Sequence, residues 1–155
     1  MPIHNADIAA LFEEIAELLE IQNPNPFRTR AYRNAARQIE GMGVPVADMV
    51  AKGEDLTELP GIGDDLAAKI REIVATGQCQ ALEKLRKQVP PSITELLKIP
   101  GLGPKRVRAL YDTLKVKSID LLARAAQAGK IRELAGFGAK TEQTILEALA
   151  THITG

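Results

Sequence analysis

Ile8, Leu11, Phe12, Ile15, Leu18 and Leu19 recur at three- and four-residue intervals, the spacing that lays a single apolar stripe along an α-helix. Asn5 precedes the stripe as a candidate cap, and Pro24 and Pro26 break it before a second helical run from Phe27 to Gly41. A charge-rich helix, Cys79 to Lys87, ends before VPPSI, Val89 to Ile93, where paired prolines block continuation. No segment alternates apolar and polar residues with the period of a strand. The pattern predicts an all-α fold of two small helical domains, residues 1–88 and 89–155.

Within this helical pattern one motif returns three times. LPGIGDDLAAKI runs from Leu59 to Ile70, IPGLGPKRVRAL from Ile99 to Leu110, and LAGFGAKTEQTI from Leu134 to Ile145. Each copy is an apolar residue, then a Gly-apolar-Gly step, then a helical run. Helical patterns precede them: Val46 to Lys52 with a short turn, Ser92 to Lys98, and Leu121 to Leu134. The repeat is one supersecondary unit of helix, glycine hairpin and helix.

Composition narrows the function. With 155 residues, of which 45% are hydrophobic, the chain can bury a core. Aromatic residues make up 3% and Trp is absent, which argues against a surface of base-stacking platforms. No basic segment leads into a long apolar run and no stretch of about 18 apolar residues occurs, so a cytoplasmic location without membrane contact is expected. Cys79 is the sole cysteine, which excludes an internal disulfide and a cysteine metal site. The formal net charge is zero, but its distribution is uneven. Asp7, Glu13, Glu14, Glu17 and Glu20 form an acidic segment, Arg28, Arg30, Arg33 and Arg37 a basic one. Lys98, Lys105, Arg106, Arg108, Lys115 and Lys117 face only Asp112.

A hairpin of this kind presents backbone N–H groups at its second glycine and at the next helix start, where an anion is favoured. Gly61 and Gly63, Gly101 and Gly103, and Gly136 and Gly138 are therefore candidate phosphate sites. Such contacts ignore base sequence. Lys105, Arg106 and Arg108 add positive charge at the second copy, Lys140 at the third, and the first offers Asp64 and Asp65 instead. The second hairpin is the strongest expected DNA contact. Carbonyls of Thr57, Leu59 and Ile62, and of Leu97, Ile99 and Leu102, face the same regions, where a monovalent cation, Na+ or K+, would relieve their repulsion with phosphate. DNA is the expected partner and a monomer the expected state.

The run FRTRAYRNAARQIE, followed by LPGIGDDLAAKIREIVATGQCQALEKLR, PPSITELLKIPGLGPKRVRALYDTL and LAGFGAKTEQTILEAL, resembles the N-terminal part of the family X DNA polymerases, the DNA polymerase beta group, in its bacterial form. The resemblance covers nearly the whole chain and implies a lyase-type domain that grips the 5′-phosphate side of a DNA gap, followed by a DNA-binding subdomain called thumb or fingers. Lys69 matches the family's Schiff-base nucleophile, and Arg28 and Tyr32 match its phosphate pocket. Two positions depart from the strongly lyase-active members, which tend to carry Lys where Asp65 stands and Glu where Ala68 stands.

The family's polymerase centre uses an Asp-x-Asp pair to hold two metal ions. Asp7, Asp48, Asp55, Asp64, Asp65, Asp112 and Asp120 include no such pair, so polymerisation by this chain alone is excluded and Mg2+ or Mn2+ is expected only in a catalytic domain that it lacks. The chain stops at Gly155, where the family's palm begins, and is expected to be a fragment of a longer polymerase. Two other readings stay open: a stand-alone tandem hairpin subunit of a DNA-repair complex, and a protein-interaction module of the sterile-alpha-motif kind.

Overall fold

The computed structural model describes residues 3–22 and 25–154, with side chains through Thr151. Pro24 lies outside the described residues. All regular structure among them is helical, and the chain divides into two compact units, Met1–Gln88 and Val89–Gly155.

The first unit holds α1 (Asn5–Gln22), α2 (Pro26–Glu40), α3 (Val46–Ala51), α4 (Asp64–Thr76) and α5 (Gln80–Gln88). The α1 stripe is buried as its spacing predicts: Ile8, Phe12, Ile15 and Leu19 pack along α2. The Phe12 ring meets Tyr32 edge to face at 5.6 Å between centroids. Asn25 caps α2 by accepting from the Phe27 N–H at 3.0 Å, and Pro26 fills the first helical position. Asn5 serves the adjacent segment: its Oδ1 accepts from the Val46 N–H at 2.8 Å and its Nδ2 donates to the Val44 carbonyl at 2.9 Å. Two acids of the acidic segment are paired within the unit. Glu20 meets Arg33 at 2.6 Å, and Glu14 receives the Arg86 fork at 2.6 and 2.7 Å.

The second unit holds α6 (Pro91–Thr94), α7 (Pro104–Leu114), α8 (Ile119–Gln127) and α9 (Ala139–Thr154), around a core that includes Leu96, Val107, Leu110, Leu122, Ile131 and Ile145. α3 and the turn after it match the first expected helix, and α6 with its 3-10 turn spans the second; only the run expected from Leu121 to Leu134 stops early, at Gln127. Short 3-10 turns, Leu56–Glu58, Glu95–Lys98 and Ile131–Glu133, lead into the three hairpins. Both α3 and α8 end before a left-handed glycine, Gly53 (φ 70°) and Gly129 (φ 72°). In both, the N–H groups beyond the helix fold back, Glu54 to Met49 and Lys130 to Ala125, and close a Schellman motif that the apolar periodicity does not reveal.

Candidate nucleic-acid interface

The three hairpins share one backbone. In each, the residue after the 3-10 turn donates back into that turn: Leu59 to Leu56, Ile99 to Leu96 and Leu134 to Ile131, all at 3.1 Å. Its own carbonyl then accepts from Ile62, Leu102 or Phe137, at 3.1, 3.0 and 3.1 Å. These are four-residue turns with glycine third, and that glycine has φ of 79°, 90° or 82° at Gly61, Gly101 or Gly136. Pro60 and Pro100 stand second. This is the Pro-Gly chemistry of a type II turn, which requires the positive φ that L side chains avoid.

The second glycines are different. Gly63 and Gly103 have φ of −92° and −95° with extended ψ, a conformation any residue adopts. A Cβ placed at Gly63, Gly103 or Gly138 would meet nothing within 4 Å. Neither backbone nor packing within the described residues demands glycine there. What glycine does provide is open approach to a helix start: α4 and α7 begin at these residues with no side-chain cap.

Equivalent positions then separate the copies. The outward residue of the first turn is Asp65, Lys105 or Lys140, all exposed. The next position is Leu66, buried, then Arg106, half-buried, then Thr141. Arg106 turns inward accordingly: its Nη1 donates to the Gly101 carbonyl at 2.7 Å, and its guanidinium lies 5.5 Å from the Phe137 ring centre. Arg108 pairs with Asp112 at 2.9 Å. The position whose N–H closes each hairpin by donating to the second glycine's carbonyl is Ala67, Val107 or Glu142, and all three are buried.

Glu142 thus puts a carboxylate where the other copies have core residues. Arg132 compensates it with Nε at 2.9 Å, Nη2 at 2.7 Å and its backbone N–H at 3.0 Å, and these bonds hold the Glu142 pKa below the ordinary carboxylate range. This brace was missed from the sequence, although aligning the three repeats exposes a charge at an apolar position.

In the first unit the structure brings Lys69 and Tyr32 together. The Lys69 side chain is only 15% exposed and hydrogen-bonds Asp65 at 2.7 Å. Burial lowers its pKa, but the Asp65 bond and the facing Tyr32 hydroxyl outweigh burial and hold it above the ordinary lysine value. The Tyr32 hydroxyl is buried without a hydrogen bond of ordinary geometry among the described residues. Arg28 stands one helical turn before Tyr32 on α2, exposed.

Residues 3–79 match the family described as "Helix-hairpin-helix domain", and residues 93–151 the family described as "SAM-like Helix-hairpin-helix tandem". Over 147 residues, 95% of this chain, the sequence is 39% identical to the DNA polymerase/3'-5' exonuclease PolX of Bacillus subtilis (strain 168). The chain is a PolX-related tandem of helix–hairpin–helix domains. It covers 25% of that relative's length. A second relative, the UvrABC system protein C of Gemmatimonas aurantiaca, is 40% identical over 70 residues, 44% of this chain and 11% of that protein. The all-α expectation and the resemblance to family X polymerases both hold. No helix among the described residues is long and apolar enough to cross a membrane.

Proposed function

We infer that this chain binds DNA through its phosphates, without reading base sequence, as the DNA-gripping region of a PolX-type repair polymerase. The observation that carries the reading is the second glycine of each hairpin. It is repeated three times, has no conformational or packing reason in the described residues, and opens a helix start to close approach by an anion. Lys105 and Lys140 stand beside two of these starts, so hairpins 2 and 3 are the main contacts. Fluorescence anisotropy with a labelled gapped duplex tests this. Binding should be insensitive to sequence and should weaken with salt at a slope of about 0.9 per phosphate held on duplex DNA. No binding at low salt and micromolar protein refutes it.

Carbonyl pairs at the hairpins support a monovalent cation as an accessory to binding. Leu59 and Ile99 each use their carbonyl for the turn amide and retain a second lone pair, and Thr57, Ile62, Leu97 and Leu102 would complete the two sets. Replacing K+ by a bulky organic cation at equal ionic strength should weaken DNA binding, and equal affinity in both refutes the cation.

A second reading, 5′-deoxyribose phosphate lyase activity, is favoured by the meeting of Lys69 with Tyr32 beneath α2. The Lys69 amine would attack the sugar aldehyde and lose water to form a Schiff base, from which β-elimination proceeds. Asp65 opposes this by keeping the amine protonated. Borohydride should trap an adduct with an abasic 5′ end that is lost in Lys69→Ala and enhanced in Asp65→Lys. Trapping that is unchanged in Lys69→Ala excludes this nucleophile.

A further inference from the structure

We propose that Arg106 is a cross-brace that makes hairpins 2 and 3 one clamp for two phosphates. The inference rests on the DNA-binding reading above and adds how two of its sites act together. One planar guanidinium reaches the same backbone atom in both copies: Nη1 donates to the carbonyl of Gly101 at 2.7 Å, and Nη2 reaches the carbonyl of Gly136 at 3.5 Å, the long end of a hydrogen bond. Gly101 and Gly136 are the equivalent positive-φ glycines of the two turns. The same group lies 5.5 Å from the centre of the Phe137 ring, the residue that closes the third turn. Thr144 of α9 lies nearby, 3.8 Å from where a Cβ on Gly101 would stand.

Arginine suits this role and lysine does not, since only a rigid fork can address two carbonyls while its face covers a ring. The equivalent residue in hairpin 1 is Leu66, buried, which shows that this position points away from the outward residue, Lys105 in hairpin 2. The charge of Arg106 is thus spent within the protein, and Lys105 and Lys140 supply the outward charge. With the two turns fixed to one another, a strand held at Gly103 presents its neighbouring phosphates to Gly138 without further ordering, so the second contact is intramolecular.

A double-mutant cycle on the full chain with a duplex oligonucleotide tests the clamp. Gly138→Val fills the open approach at the third hairpin without forcing a positive φ. In the wild type it should weaken binding about tenfold, and in an Arg106→Gln background about twofold or less, a coupling within the usual range between linked sites. Arg106→Lys keeps the charge but loses the fork and should behave like Arg106→Gln in the cycle. Equal effects of Gly138→Val in all backgrounds overturn the clamp. So does a phosphate-ligand signature, in which Arg106→Lys retains affinity and Arg106→Gln lowers the salt slope by about one. Thermal unfolding without DNA supplies an independent arm: Arg106→Gln and Phe137→Leu should be non-additive, and additivity overturns the brace. A wild-type chain that binds no DNA overturns the underlying reading, whereas a binding chain with additive losses overturns the clamp alone.

Discussion

Hairpins 1 and 2 follow the same backbone path and carry opposite charge. Both place a positive-φ glycine third in the turn and an uncapped glycine at the helix start, yet the first helical turn holds Asp64 and Asp65 in one and Pro104 and Lys105 in the other. The comparison separates two things a hairpin can do. Turn geometry is satisfied by Pro and Gly alone, while the sign of charge one residue further on decides whether the exposed donors attract a phosphate or face an acid that competes for them. At hairpin 1 the acid also binds Lys69, so this copy combines the shared turn with an internally paired cation.

Charge exchange should give the largest effect. Lys105→Glu is expected to weaken binding to gapped DNA on the order of tenfold or more at low salt, and Asp65→Lys to strengthen it several-fold, with both differences shrinking as salt rises. Anisotropy titrations measure both. Similar losses from the two substitutions would break the comparison.

The next test separates the two glycines within one hairpin. Gly101→Ala forces an L side chain to φ near 90° and should lower the unfolding temperature of the second unit by about 5–10 °C, from a cost of about 1–2 kcal/mol. Gly103→Ala should leave the unfolding temperature within about 2 °C while weakening DNA binding, since its φ suits alanine. Calorimetry beside anisotropy distinguishes them, and a shared fall in stability would remove the distinction.

The third hairpin sharpens the comparison through Glu142 and Arg132. Because Arg132 holds the Glu142 pKa below its unfolded value, the pair's stabilisation is present above the ordinary carboxylate range and is lost as pH falls through the lowered folded pKa. Arg132→Leu should destabilise the second unit at pH 7 and abolish that pH dependence. Adding Glu142→Val, which restores the pattern of Ala67 and Val107, should recover much of the loss. Unfolding curves from pH 3 to 7 decide it.

The smallest effect lies on α1, outside the hairpins. Burial, together with Glu13 and Glu14, raises the Glu17 pKa, so ionising it costs stability as pH climbs above the unfolded carboxylate value. Glu17→Gln should therefore raise the unfolding temperature at pH 7 by about 1–3 °C and leave it unchanged near pH 3.

Features set by a few neighbouring residues were legible in the sequence. The α1 stripe, the break before α2, the Pro-Gly turns and the exposed lysines after them all follow from local preferences. The helix before the third hairpin was read too long because apolar spacing continues across Gly129, where the backbone does not.

Tertiary structure decided the rest. Asn5 lies beside its own helix start, but its two-sided amide is engaged by Val44 and Val46, some forty residues on. Arg106 reads as one more cation in a basic run, yet the approach of hairpin 3 to hairpin 2 brings two carbonyls and a ring to its fork. Glu142, an acid in the helical run after the third hairpin, is buried because the repeat's register carries it into the core beside Arg132. Turn types and helix starts are fixed by dihedral preferences and bonds spanning three or four residues, so sequence alone determines them. Which partner a long polar side chain finds depends on elements brought together only when the apolar faces close, and a guanidinium or carboxylate takes whatever donors and acceptors that closure leaves within reach.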